Sequence, residues 1–143
     1  VTRTFSKIYG LAGLRVGFAV AAPEVADLLN RVRQPFNVNN LAIAAACAAL
    51  DDHLFVAESY ELNRRGMEQI VAGLKRLGLE HIPSHGNFIT FAVGDGAAVN
   101  QKLLKHGVIV RPIGGYGLPN HLRVTIGLET ENARFLEALE KSL

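Results

Sequence analysis

The hydrophobic period of this chain changes at Gly78, and this change constrains the fold most. From His53 to Leu77, apolar residues recur on one stripe at the spacing of an α-helix. Beyond Gly78 the apolar residues alternate with polar ones, over 79–82 and again over 87–93, as they do in half-buried strands. Glycine commonly ends a helix, so Gly78 is the predicted terminator. The sequence therefore predicts helices first and a sheet afterwards.

The remaining elements follow from the same periodicities and from proline and glycine signals. Beyond those already named, the predicted elements are strands at 2–5, 15–21, 108–110 and 122–126, and helices from Pro23 to the Pro35 break, over 41–50, over 97–106 and from 130 onwards. The run 41–50 is apolar throughout and predicts a buried helix, with Cys47 as a core thiol. The predicted fold class is α+β, a small sheet covered by helices on one face.

Composition excludes several classes of function. The chain has 143 residues, a net charge of +2 and 49% hydrophobic residues, which indicates a globular domain with a real core. Its basic residues are scattered, so no nucleic-acid partner is expected. No apolar run reaches the ~20 residues of a membrane span, so no membrane partner is expected. The single cysteine, Cys47, suits a reducing, cytoplasmic setting.

The first loop carries the residues best suited to catalysis and to phosphate binding. The Lys7 amine becomes a nucleophile towards aldehydes when it is neutral. Arg15 has a planar guanidinium suited to a phosphate, and the hydroxyls of Thr4 and Ser6 can bind phosphate oxygens. From spacing alone an ordinary surface loop remains an alternative, because short motifs also match by chance.

The segment TFSK at Thr4–Lys7, followed by LAGLRVGF at Leu11–Phe18, closely resembles the lysine segment of the class I and II aminotransferases. Within that family it is most similar to the histidinol-phosphate aminotransferases. Similar segments continue in order along essentially the whole chain, at 34–39, 87–88, 107–112 and 121–127. The resemblance implies the small C-terminal domain of a fold-type-I transferase at 36–143, preceded at 1–35 by a remnant of the large domain that binds pyridoxal phosphate.

The resemblance also implies how the cofactor is held. Lys7 would bind pyridoxal 5′-phosphate covalently in the intact enzyme and move the proton between the substrate Cα and the cofactor. Ser6 and Arg15 would hold the cofactor phosphate, with Thr4 assisting. The histidines show no metal spacing, so no metal site is expected.

Three further residues are implied for the substrate. Alternation places Arg123 on the face of its strand opposite the apolar side chains, and the resemblance implies that it binds the substrate α-carboxylate as a bidentate pair. Alternation alone is also consistent with a solvated arginine on an open sheet face. Arg111 is implied as a second arginine for substrate anions, with a plain strand-end charge as the alternative. Asn37 is a candidate for facing the cleft, although asparagine in a loop usually caps a turn.

The expected parent protein converts histidinol phosphate and 2-oxoglutarate to imidazole acetol phosphate and glutamate, as a cytoplasmic homodimer acting on small molecules. Because the chain opens at Val1, in what resembles the middle of a strand, we expect a fragment that is inactive alone and binds its cofactor weakly or not at all. The alternatives are an aromatic amino-acid aminotransferase, a threonine-phosphate-type decarboxylase, or a non-catalytic interaction domain of the same fold.

Overall fold

A computed structural model describes all 143 residues of the chain. The chain divides into two compact units, Val1–Tyr60 and Glu61–Leu143, and the boundary falls within a long helix. The division expected at residue 35 concerns the parts of a complete aminotransferase, and it stays a prediction.

The first unit contains a two-stranded antiparallel ribbon followed by helices. In the ribbon, β1 (Thr2–Thr4) pairs with β2 (Gly17–Ala19), and both strands lie within the stretches 2–5 and 15–21 that the sequence predicts as strands. Two helices follow, α1 (Pro23–Val32) and α2 (Asn40–Asp51), and the unit ends within α3 (His53–Arg76). Proline at the first position of α1 has no N–H to leave unpaired, which favours a helix start there.

Most apolar side chains of the first unit are exposed. The apolar stripe of α1, formed by Val25, Leu28, Leu29 and Val32, is 49–79% exposed. In α2 only Ala42 and Ala46 are buried, and Cys47 is exposed. The predictions of a buried helix at 41–50 and of a core thiol are therefore wrong. Apolar spacing identifies a face that can be buried, but burial also needs a packing partner, which this unit does not supply.

The second unit is built on a four-stranded antiparallel sheet. The strand order is β3 (His81–Ile82), β4 (Phe88–Ala92), β6 (His121–Thr125) and β5 (Arg111–Pro112). Two helices, α4 (Gly96–Lys105) and α5 (Glu129–Glu140), join the C-terminal part of α3.

The three helices pack on one face of this sheet, which confirms the predicted small sheet with helices on one side. The core residues come from alternate positions of the central strands and from one stripe of each helix. The Phe91 and Phe135 rings meet edge to face at 5.7 Å. The principal members are Ile70, Leu74, Ile89, Phe91, Val99, Leu103, Leu122, Val124, Phe135, Leu136 and Leu139, all buried.

Glycines end the two helices that precede strands. Gly78 has φ +70° and Gly107 has φ +71°, a left-handed conformation that glycine adopts without strain. After α4, the Gly107 N–H donates to Leu104 O at 3.0 Å and the Val108 N–H donates to Leu103 O at 3.0 Å. These bonds form a Schellman motif. Because Val108 still closes the helix, the strand predicted at 108–110 is wrong, and the paired residues are Arg111 and Pro112.

No single helix of the chain is long and apolar enough to cross a membrane, and only α2 and α3 taken together meet the length and composition criteria. No group of three or more histidine, cysteine, aspartate or glutamate side chains is arranged to hold a metal ion.

Candidate functional site

Phe5 anchors the loop that joins β1 to β2. Its N–H donates to Val16 O at 3.1 Å, and its carbonyl accepts from the Leu11 N–H at 2.9 Å. The Phe5 ring is 4% exposed and lies against two other rings, with centroid distances of 4.9 Å to Tyr9 and 6.0 Å to Phe18. These contacts fix both ends of the loop.

Lys7 lies in a tight turn of this loop. The Gly10 N–H donates to the Lys7 carbonyl at 2.9 Å, which closes the turn. The Lys7 side chain is exposed. A fixed backbone with a free amine gives a carbonyl ligand access to a nucleophile held in a defined place.

A hydroxyl and a guanidinium meet beside Lys7. Arg15 Nη1 donates to Ala12 O at 2.7 Å and lies 3.5 Å from Ser6 Oγ. The Ser6 N–H donates to Thr4 Oγ1 at 3.0 Å. Arg15 has φ +53°, one of only two non-glycine residues of the chain with a positive φ. The Arg15 side chain lies back across the loop against Ser6, and Thr4 bonds to the Ser6 backbone. The role of these three residues as phosphate donors stays a prediction.

Asn37 lies in a second turn of the first unit, where its side chain already has a partner. Its Oδ1 accepts from Arg33 Nη1 at 3.1 Å, and Arg33 Nε donates to Asn30 Oδ1 at 2.6 Å. The neighbouring Phe36 is the other non-glycine residue with positive φ, at +53°, and is 97% exposed. The Asn37 amide thus stabilises the turn after α1, and its role towards a substrate stays a prediction.

In the second unit, a row of side chains crosses the face of the sheet opposite the core. On one side of Arg123 the strand register sets Thr90 directly opposite, and on the other side it sets Arg111 directly opposite. Arg111 is exposed and Arg123 is partly buried. Neither guanidinium has a carboxylate within 4 Å. Two unneutralised arginines side by side form a surface suited to an anion.

Phe88 is a member of this surface that the sequence analysis did not identify as functional. The Arg123 Cζ lies 4.5 Å from the centroid of the Phe88 ring. The signal that could have found it is the alternation of β4, which puts Phe88 and Thr90 on one face while Ile89 and Phe91 enter the core.

Three charged residues on the exposed face of α3, Glu61, Arg64 and Glu68, are paired with one another and are not among the predicted site residues. Arg64 donates to Glu61 at 2.6 Å and to Glu68 at 2.5 Å. The hydrogen bond from Arg64, together with its charge and that of Arg65, lowers the pKa of the Glu61 carboxyl. The same ion pairs raise the pKa of Arg64 above its ordinary value.

A cleft of about 580 Å³ in the second unit contains none of the predicted site residues. Its lining residues are Leu62, Arg65, Gly66, Gln69, Gly127, Leu128, Glu129 and Thr130. A buried asparagine, Asn132, connects these segments. Its Nδ2 donates to Gln69 Oε1 at 3.0 Å and to Gly127 O at 3.1 Å, while its Oδ1 accepts from the Gly127 N–H at 2.9 Å. This satisfied network is structural.

Two groups of predicted residues therefore emerge. Thr4, Ser6, Lys7 and Arg15 come together within the first unit, and Arg111 and Arg123 come together within the second. The first group offers an amine beside phosphate donors, and the second offers paired guanidinium groups.

Known proteins are similar to this chain in both sequence and fold. The chain is 84% identical over 143 residues to the Dechloromonas aromatica protein named histidinol-phosphate aminotransferase 1, covering 100% of this chain and 40% of the relative. The crystal structure of histidinol-phosphate aminotransferase from Sinorhizobium meliloti in complex with pyridoxal-5′-phosphate superposes with a TM-score of 0.89 at 29% identity, over 99% of this chain and 40% of that one. L-threonine-O-3-phosphate decarboxylase from Porphyromonas gingivalis superposes with a TM-score of 0.83 at 27% identity, over 98% and 45% of the two chains.

The chain thus spans about 40% of the length of the curated relatives it matches. The family described as aminotransferase class I and II matches residues 1–139, nearly the whole sequence. The match includes the Lys7 loop and the α+β unit, which carries the opposed arginines Arg111 and Arg123 (the arginine row). The chain therefore belongs to the class I and II aminotransferases.

Proposed function

We propose that this chain carries the cofactor lysine and the substrate-binding arginines of a pyridoxal-phosphate-dependent aminotransferase that transfers the amino group of histidinol phosphate to 2-oxoglutarate. The observation that carries the proposal is the 84% identity, along the whole chain, to a protein named histidinol-phosphate aminotransferase. The products are imidazole acetol phosphate and glutamate, and the enzyme acts as a cytoplasmic homodimer. The 143-residue chain alone is inactive, because it holds only part of the matched fold.

The loop around Lys7 fits pyridoxal phosphate by the chemistry of its donors. Arg15 Nη1 and Ser6 Oγ lie 3.5 Å apart, so one phosphate can receive hydrogen bonds from both. Thr4 Oγ1 accepts from the Ser6 N–H, which leaves its own O–H proton for a phosphate oxygen. When bound, the cofactor supplies an electron sink for the bond that breaks at the substrate Cα.

Lys7 has two roles in this proposal. Its Nζ would hold the cofactor through a covalent bond to the cofactor's aldehyde carbon. As a free amine, the same Nζ would take the proton from the substrate Cα as a general base. The turn closed by Gly10 fixes the Lys7 backbone, and the exposed side chain can move between these two tasks.

Arg123 and Arg111 bind the anionic group of the substrate. Histidinol phosphate carries a phosphate and glutamate carries an α-carboxylate, so one arginine row has to accept either anion in turn. A guanidinium binds carboxylate and phosphate with the same bidentate geometry, through two parallel N–H donors. The second positive charge, on Arg111, suits the higher charge of a phosphate dianion.

The test is a chimera in which these 143 residues replace the matched segment of the Dechloromonas aromatica relative. We expect turnover of histidinol phosphate with 2-oxoglutarate and borohydride trapping of the cofactor on the Lys7 peptide. In Lys7→Ala both signals should disappear, whereas the matched control Lys105→Ala, on the exposed side of α4, should retain both. A cofactor-loaded chimera that turns over phenylalanine but not histidinol phosphate would contradict the proposed substrate. A chimera in which borohydride never traps the cofactor would contradict the proposal of a pyridoxal-phosphate enzyme.

A second candidate, threonine-phosphate decarboxylation, is favoured by the structural similarity to the Porphyromonas gingivalis enzyme. Its substrate also carries a phosphate and a carboxylate, so the arginine row alone does not separate the two reactions. The same chimera distinguishes them, because only the decarboxylase releases CO₂ from threonine phosphate.

A further inference from the structure

We propose that Phe88 is a positioning residue that holds the Arg123 guanidinium in place for an anion. The inference rests on the anion-binding role proposed above for Arg123. It begins with the 4.5 Å between the Arg123 Cζ and the centroid of the Phe88 ring, well inside the ~6 Å over which a ring face attracts a cation.

The strand register makes this contact a fixed feature of the sheet. Phe88 on β4 pairs directly with Thr125 on β6, and Arg123 is two residues before Thr125 on the same face. Phe88 and Arg123 are therefore diagonal cross-strand neighbours, at a separation that aromatic and long side chains can bridge. Their contact needs no loop movement.

The loop before β4 also lies against the Phe88 ring. A Cβ added at Gly86 would lie 3.3 Å from Phe88 Cε1, so the ring lies close to the bare glycine backbone. That backbone is held at both its polar groups. The Gly86 N–H donates to Ser84 Oγ at 3.1 Å, and Asn63 Nδ2 of α3 donates to Gly86 O at 3.2 Å.

An aromatic support solves a problem that a carboxylate support would not. A glutamate or aspartate beside Arg123 would also order the guanidinium, but it would neutralise the charge and compete with the substrate anion. A ring face attracts the cation while leaving its donor N–H groups and its net charge available. Arg111, opposite Arg123, otherwise repels it towards solvent. Ordering Arg123 in the free protein also removes an entropy cost from binding.

The test uses the full 143-residue chain labelled with ¹⁵N-arginine. The Nε–Hε signal of Arg123 is assigned by its loss in Arg123→Lys. In the ligand-free chain we expect a high heteronuclear NOE for this group, typical of a rigid N–H. The NOE should fall in Phe88→Leu and be restored in Phe88→Tyr, which keeps the ring. Titration with glutarate should give a dissociation constant about three- to tenfold higher in Phe88→Leu than in wild type or Phe88→Tyr.

A second variant, Phe88→Met, fills the space of the ring without its face, and the amide spectrum reports whether either variant has folded. The proposal is overturned if the Arg123 NOE is already low in wild type, as for a mobile N–H, or if it is unchanged in both folded variants. If glutarate binds equally well to wild type and Phe88→Leu, positioning by Phe88 fails while the anion site stands. If Arg123 loses order in Phe88→Leu but glutarate shifts no signal in wild type, the positioning is supported and the anion-binding role fails.

Discussion

Arg111 and Arg123 face each other directly across β5 and β6, and neither has a carboxylate partner within 4 Å. Directly opposed like charges destabilise a sheet by about 0.2–1 kcal/mol. An anion bound between the two guanidinium groups would relieve that repulsion. The pair is therefore expected to trade stability of the free protein for ligand binding.

Removing one charge of the pair should separate these two effects. In Arg111→Gln we expect the free energy of unfolding to rise by about 0.2–1 kcal/mol without ligand. The stabilisation gained on adding inorganic phosphate should fall, since one donor fork is lost. Urea unfolding with and without phosphate measures both quantities. Lys105→Gln removes the same charge from α4 and should reproduce neither change, and a loss of stability in Arg111→Gln without ligand would contradict the expectation.

Gly73 allows α3 to approach α5 closely. A Cβ added there would lie 3.0 Å or less from several side-chain atoms of buried Leu136. Although alanine favours a helix more than glycine does, by about 1 kcal/mol, we expect Gly73→Ala to be net destabilising by about 1–3 kcal/mol through overpacking. Denaturant unfolding measures the change.

A matched control for Gly73 is Gly115→Ala, where an added Cβ meets no atom within 4 Å and the change should be near neutral. In addition, Leu136→Ala should cost less in the Gly73→Ala background than in wild type, because the smaller side chain leaves room for the new methyl. Additive effects of the two substitutions would show that the helices do not meet at this point.

Asn132 is 2% exposed, and its side chain satisfies the N–H and the carbonyl of Gly127 together with Gln69. In Asn132→Leu these partners lose their hydrogen bonds, at about 1–3 kcal/mol for each group left buried. We expect the free energy of unfolding to fall by about 2–4 kcal/mol. Asn63→Ala, which removes one exposed side-chain bond to Gly86 O, is the control and should cost roughly 1 kcal/mol or less. Equal losses of unfolding free energy in Asn132→Leu and Asn63→Ala would contradict the expectation that burial makes the Asn132 hydrogen bonds more costly to lose.

The ion pair between Glu137 and Lys141 predicts a pH dependence. The hydrogen bond from Lys141 Nζ to Glu137 Oε1, at 2.6 Å, lowers the pKa of this carboxyl below its ordinary 4.5. A carboxyl with a lowered pKa in the folded state stabilises the protein above its unfolded-state pKa, and this contribution is lost as the pH falls through the folded-state value. Wild type should therefore exceed Glu137→Gln in stability at pH 7, and this difference should decrease as the pH falls below the ordinary carboxyl pKa of 4.5.

Urea unfolding at pH 7, 5 and 3 measures this difference. Lys141→Gln should remove most of the same pH-dependent difference, since the partner causes the shift. High salt should also reduce the difference, because both groups are exposed and screening at 1 M salt acts over about 3 Å. A difference between wild type and Glu137→Gln that stays constant down to pH 3 would contradict the ion pair.

The regular elements of the second unit could be predicted because their local signals agree with their packing. The stripe of α3 and the alternation of β6 each place residues in the core that they predict, such as Ile70, Leu122 and Val124. Leu143, four residues after the buried Leu139, is 51% exposed, and α5 ends before it, at Glu140. The apolar period thus continues three residues beyond the end of α5.

Other features could not be read from local sequence. The apolar stripe of α1 has the same period as a core-facing helix, and only a three-dimensional partner decides whether it is buried. The direct opposition of Arg111 and Arg123, twelve residues apart with a glycine-rich loop between them, depends on the strand register. The alternation of β4 predicts the face on which Phe88 lies, but the contact of Phe88 with Arg123 joins two strands and depends on the same register. The roles of Lys7, Ser6, Thr4 and Arg15 were suggested by the family resemblance rather than by spacing.

The outer strand β5 also affects how this sheet behaves in a crowded solution. It contributes only two paired residues, and one of them, Pro112, has no N–H to offer to another chain. Fibril growth proceeds by adding strands to an open, flat border, and a short border with proline and a charged arginine resists such addition. The short strand that carries Arg111 thus also protects the sheet against self-association, and a substitution of Pro112 by a β-branched residue would weaken that protection.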